Sequence, residues 1–165
     1  MTSISNGLGT FIFRAPGSRE REIGLTLLRM AVGVIFIAHG AQKFFLLGIP
    51  AVTGGFTQGG IPMASFMAPF IASVELVGGI ALVAGLFTRL AALGTAFTML
   101  GAMFLVHMKG GFFLPAGIEY TVILLAASIA LILMGPGSFS LDALLGRRVA
   151  IAEPLAGRVA GRRAA

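Results

Sequence analysis

The stretch MAPFIASVELVGGIALVAGLF, residues 67–87, decides the fold. It is 21 residues long and holds a single charge, Glu75. A helix crossing the ~30 Å hydrocarbon layer of a bilayer needs roughly 20 residues at about 1.5 Å each, so this stretch has the length of one transmembrane helix. A carboxylate at bilayer depth costs about 2.5–3.5 kcal/mol on insertion scales and is kept where it has a partner or a task. Glu75 is therefore the first candidate functional residue, and the other polar groups are read by whether they reach it.

Three further apolar runs flank this one, at about 23–45, 90–108 and 119–134. The last is short for a span and fits a thinned bilayer or a start inside its loop. The chain of 165 residues is 57% hydrophobic and 11% charged, with a mean hydropathy of +0.98. Soluble domains carry about 25% charged residues. The reading is an all-α polytopic membrane protein, a four-transmembrane-helix bundle. One membrane domain occupies 23–145, between an N-terminal segment at 1–22 and a basic tail at 146–165. No portion is large enough for a separate soluble catalytic module.

The net charge of +6 does not point to nucleic acid. Arginines gather at the ends, at Arg14, Arg19 and Arg21, then Arg147, Arg148, Arg158, Arg162 and Arg163. Basic flanks beside spans set orientation and meet anionic lipid head groups. Both termini and Arg89 then face the cytoplasm, with Lys43 and Lys109 on the other side. The first span reads as an uncleaved anchor, giving a multi-pass plasma-membrane protein. The chain has no cysteine, which excludes dithiol chemistry, thiolate zinc sites and cysteine-ligated iron–sulfur clusters.

Thr88 and Arg89 read as a tight turn between the second and third spans. The segment 46–66, rich in glycine and proline yet apolar, is expected at the interface or folded back over the bundle. Gly135-Pro-Gly137 ends the fourth span, and Ser140-Leu-Asp142 starts a short interfacial stretch. Gly33 and Gly40, Gly78 and Gly85, and Gly94 and Gly101 are each seven apart. That period keeps small residues on one seam of a left-handed bundle.

In this topology His39, Lys43, His107, Glu119 and Tyr120 gather toward the outer ends of their helices. Glu75 lies ~12 Å below the outer end of its own. Arg29 approaches from the cytoplasmic side, close enough in depth to pair with Glu75 through extended side chains. Two readings of Glu75 stand: an ion pair with Arg29 that pins two helices, or a proton-active, ligand-binding carboxylate. For Arg29 the alternative is snorkelling to the head groups. His39 and His107 invite a bis-histidine haem or, with Glu119, a metal ion, but no tight ligand spacing supports either. Hydrogen bonding of both histidines to loop backbone is the preferred reading, and no metal ligand is assigned.

Leu28-Arg29 followed by Gly33, Phe36, His39-Gly40 and Lys43-Phe44 resembles the first-helix pattern of the DoxX family. Glu75-Leu-Val-Gly78-Gly79, then Gly85-Leu-Phe-Thr-Arg89, resembles its second helix and turn. Glu119-Tyr120, Gly135-Pro-Gly137 and Ser140-Leu-Asp142 resemble its C-terminal pattern. The resemblance covers about 25–145 and implies a prokaryotic four-helix membrane protein associated with quinone-linked or sulfur-compound oxidation, or an anchor of oxidoreductase complexes.

The function expected first is a membrane subunit of an oxidoreductase assembly that binds a quinone or other small apolar molecule. Glu75, His39 and His107 are its candidate proton-active groups, and Arg29, Lys43, Glu119 and Tyr120 its candidate pocket. The alternative is a non-catalytic scaffold whose basic tail recruits soluble redox enzymes. A third reading, a small-solute transporter, requires a homo-oligomer. The expected partners are lipids and oxidoreductase subunits.

Overall fold

The computed structural model describes residues 15–146, and all regular structure among them is helical. The sequence expectations for the arginine tail at 147–165 and for Arg14 lie outside the described residues. Helix α1 spans Ser18–Ala41 and runs on into a π-helical turn, Gln42–Leu47. After Gly48, helix α2 spans Ile49–Gln58. Helix α3 spans Ala64–Ala84 and helix α4 spans Thr88–Gly101, which continues as a second π-helical turn, Ala102–His107. A loop leads to helix α5, Glu119–Met134, and a short helix begins at 141.

Three helical stretches are long and apolar enough to cross a membrane: Ser18–Leu47, Ala64–Ala84 and Thr88–Gly110. Helix α5 is apolar but has 16 residues, about 24 Å of rise. The fold repeats one theme, since α1 and α4 each end in a π-helical turn before the next long helix on which they pack, α3 or α5. Helix α1 packs on α3, α3 on α4, α4 on α5, and α5 touches α1 again. Phe36, Leu82, Ala92 and Leu131 are buried among them.

Several boundaries differ from the sequence expectation. Helix α1 starts five residues before 23, inside the segment assigned to the N-terminal arm. Its charged first turn is still helical, because the Glu20 carboxylate accepts the Gly17 N–H at 2.7 Å. The second span is shifted toward the N-terminus and ends at Gly85 in the left-handed region, φ 67°. The turn to α4 is therefore Gly85-Leu-Phe87, and Thr88 and Arg89 already belong to α4.

The glycine seam is real for α1 and different elsewhere. A Cβ on Gly33 would lie 2.8 Å from the Gly79 carbonyl, and one on Gly40 would lie 2.5 Å from the Leu76 nitrogen. The α3 partner is thus Gly79, not Gly78. Gly85 packs under the Arg29 guanidinium, and Gly101 faces open space. These contacts bring the α1 and α3 backbones together at the level of Glu75.

Candidate functional site

Close approach of α1 and α3 determines what Glu75 meets. Gly40 lies against Leu76, and the chain then widens into the π-helical turn that carries Lys43. The Lys43 ammonium donates to the Glu75 carboxylate, forming a salt bridge. The Glu75 side chain is 5% exposed and that of Lys43 18%. Leaving either charge single there would cost several kcal/mol, so each is the other's main compensation. Single-turn π segments concentrate at functional sites, and this one presents the cation.

The expected Arg29–Glu75 pair does not form. Arg29 is buried, and its guanidinium donates to the carbonyls of Leu82 at 2.7 Å, Val83 at 3.2 Å and Phe139 at 2.6 Å. The first two carbonyls belong to the last turn of α3, where the helix end carries partial negative charge, and that of Leu82 also accepts the Gly85 N–H at 3.1 Å. That position is about 10 Å along α3 from Glu75 at about 1.5 Å per residue. Arg29 is therefore removed from the pocket and caps a helix end. Snorkelling is also excluded, because the head group is turned inward.

The same end holds a second cap. Asp142 accepts the backbone N–H groups of Phe87 at 2.8 Å and Thr88 at 2.9 Å, and its own N–H donates to the Gly85 carbonyl at 2.9 Å. The Glu22 carboxylate accepts the Ser138 N–H. Burial works to raise the Asp142 carboxyl, but the amide bonds from Thr88 and Phe87, together with nearby Arg29, hold it below its ordinary value.

Beside the Lys43–Glu75 pair lies a cavity of about 240 Å³ between α3 and α4. Thr98 and Gly101 of α4 line one wall, and His107 of the second π-helical turn lines it near the loop. Phe56 of α2 and Ile61 also line it, so the 46–66 segment does fold back onto the bundle. The His107 Nδ1 lies 3.1 Å from the Ala116 carbonyl. A carbonyl only accepts, so Nδ1 carries a proton and Nε2 is the basic nitrogen of the neutral ring. The cavity is a little smaller than the about 300–1,000 Å³ typical of drug-sized ligands and suits a single-ring molecule.

The remaining candidates stand apart from this lining. His39 packs on Tyr120 of α5, with ring centroids 6.1 Å apart, within electrostatic range of Lys43 and Glu75. The Glu119 carboxylate accepts the Leu114 N–H at 2.8 Å and holds the loop before α5. Of the seven residues proposed from sequence, the cavity unites Lys43, Glu75 and His107. Sequence reasoning missed Thr98, Phe56 and Ile61, whose types carry no chemical signal. The one available clue was the seven-residue glycine spacing that ends on Gly101.

Comparison with known proteins places this geometry in a family. The DoxX model matches residues 24–108. A protein of Bacillus subtilis named "Putative oxidoreductase CatD" is 40% identical over 125 residues, 76% of this chain and 89% of its own length. The membrane protein Rv3486 of Mycobacterium tuberculosis is 35% identical, with 73% of this chain and 80% of its own covered. The inner membrane protein YqjF of Escherichia coli is 30% identical over 77% of this chain and 95% of its own. No solved structure matches the chain.

Proposed function

Since the chain belongs to the DoxX family of membrane proteins, we propose that it serves as a multi-pass plasma-membrane subunit of an oxidoreductase assembly. Its ligand is a quinone or a similar small apolar ring, held between α3 and α4. The observation that carries this reading is a part-buried Lys43–Glu75 pair forming a charged corner of a mostly apolar cavity. Such a corner gives a ring carbonyl an ammonium donor, and gives a ring hydroxyl a carboxylate acceptor. His107, on the same cavity, offers its Nε2 as a proton acceptor, since Nδ1 is held by the Ala116 carbonyl. In this reading four helices cross the membrane, both termini face the cytoplasm and the cavity opens toward the outer leaflet. The name of the Bacillus relative and the inner-membrane name of the Escherichia protein support it by likeness.

The test is the chain purified from its own membranes, with extracted quinone measured per protein. The expected result is quinone retained by the parental chain and lost from Glu75→Gln while the protein stays folded. Equal retention in both would end the role given to Glu75. A second reading, a non-catalytic scaffold, is favoured by the way Lys43 and Glu75 close on each other. It predicts that partner recovery survives Glu75→Gln but not truncation after Leu145.

A further inference from the structure

The cavity beside Glu75 has a neighbour along the same pair of helices. A groove of about 490 Å³ lies between α3 and α4, lined by Phe70, Val74, Val77 and Ala81 on one side and by Leu90 and Gly94 on the other. No charged residue lines it. The one α3 hydroxyl there, Ser73, donates to the Pro69 carbonyl at 2.7 Å and is satisfied. From Phe70 to Ala81 the groove follows about 16 Å of α3 at about 1.5 Å per residue. Val77 and Leu90 are 64% and 68% exposed, so its flanks meet the lipid.

The two spaces meet at an aromatic pair. Phe97 lines the cavity, Phe70 lines the groove, and the rings pack edge to face with centroids 6.4 Å apart. Phe56 and Ile61 line the cavity on the loop side, and its threshold with the groove lies between α3 and α4. The Phe70–Phe97 pair stands at that threshold.

We infer that the groove holds the hydrocarbon tail of the ligand whose ring occupies the Glu75 cavity, so the substrate class is a tailed, bilayer-dissolved ring that enters sideways past Phe70 and Phe97. This rests on the reading of the cavity as a ring site. Lipid is as apolar as the groove, so the tail adds little affinity over the surrounding bilayer. What the groove supplies is room: a tailed ring can seat only if its tail has a channel beside the helices. Groove shape then selects against the tail without touching the ring.

The chain has no tryptophan, so Leu105→Trp on the cavity wall places a single fluorophore that a quinone ring quenches. The full chain carrying it is reconstituted in phospholipid nanodiscs. The probes are a benzoquinone with a long alkyl tail and the same ring without one. A Val77→Phe/Leu90→Phe variant narrows the groove at two exposed positions. Expected is at least a tenfold loss of affinity for the tailed probe and an unchanged affinity for the tail-less one. If the tailed probe binds both chains equally while the tail-less ring still depends on Glu75, the groove proposal falls and the ring site stands. If the tail-less ring binds neither the parental reporter chain nor its Glu75→Gln form, the ring site falls and takes the groove with it.

Discussion

At the scale of single residues, the chain shows how an apolar medium chooses partners for charge. Glu75 has two cations in sequence range, Arg29 and Lys43, and takes Lys43. The reason lies in the backbone: glycine at 40 lets α1 press on α3 at the level of Leu76, one helical turn from Lys43. Arg29 is drawn instead to the carbonyls of Leu82 and Val83 at the end of α3 and of Phe139 beyond α5, which its planar fork of donors serves together. A double-mutant cycle on Lys43→Met and Glu75→Gln is expected to show coupling of about 1–3 kcal/mol in thermal unfolding of the purified protein. The double variant should be closer to the parent than the sum of the two singles, because neither charge is left alone. Strict additivity would show that the pair contributes nothing to the bundle. The sequence announced that Glu75 needed a partner. It did not announce which one, since helical depth alone leaves Arg29, His39 and Lys43 within reach, and the choice depends on how closely two backbones approach.

At the scale of elements, what patterns in sequence express is hydrophobic length, and what they conceal is helical pitch. Helices appear within a few residues of the expected apolar runs, and α5 coincides with 119–134, because apolar runs and Gly-Pro breaks are local signals. The π-helical turns Gln42–Leu47 and Ala102–His107 carry no such signal, yet they present Lys43 and His107. The seven-residue glycine period was likewise visible, but its meaning was not uniform. Gly33 and Gly40 touch a facing helix, whereas nothing lies within 4 Å of a Cβ placed on Gly101. Two matched substitutions follow from this contrast. Gly40→Ala is expected to lower stability by about 1–3 kcal/mol through overpacking against the α3 backbone, and to loosen the Lys43–Glu75 pair. Gly101→Ala removes a flexible residue from a helix without a clash, so it should be neutral or stabilising by about 0.5–1 kcal/mol. Detergent-solubilised thermal unfolding of the two variants checks this, and equal effects would refute the assignment of the seam to α1 and α3.

At the scale of the whole molecule, two clasps at one end join parts of the chain far apart in sequence. Arg29 of α1 ties the last turn of α3 to Phe139, and Asp142, beyond α5, closes on the turn between α3 and α4. Because the folded Asp142 carboxyl lies below its ordinary value of 3.8, its contribution is fully present above that value. It is lost as pH falls through the depressed folded value. Asp142→Asn should therefore flatten the acid limb of a stability–pH curve while leaving its neutral-to-basic limb parallel to the parent. An unchanged acid limb would show that other carboxylates control it. In the proposed topology the turn end and the α2 end of the bundle lie on opposite faces of the membrane. That orientation follows from Arg19, Arg21 and Arg89 at the turn end, which the positive-inside preference would put in the cytoplasm. The native chain has no cysteine, so a single introduced thiol reports its own side without background. In intact cells a membrane-impermeant maleimide is expected to label Thr57→Cys, on exposed α2, at once. It should label Ser18→Cys, at the exposed start of α1, only after the membrane is opened. Reversed labelling would overturn the proposed orientation and move the Glu75 cavity to the inner leaflet. Labelling of both from one side would leave the bundle without a crossing between α1 and α2.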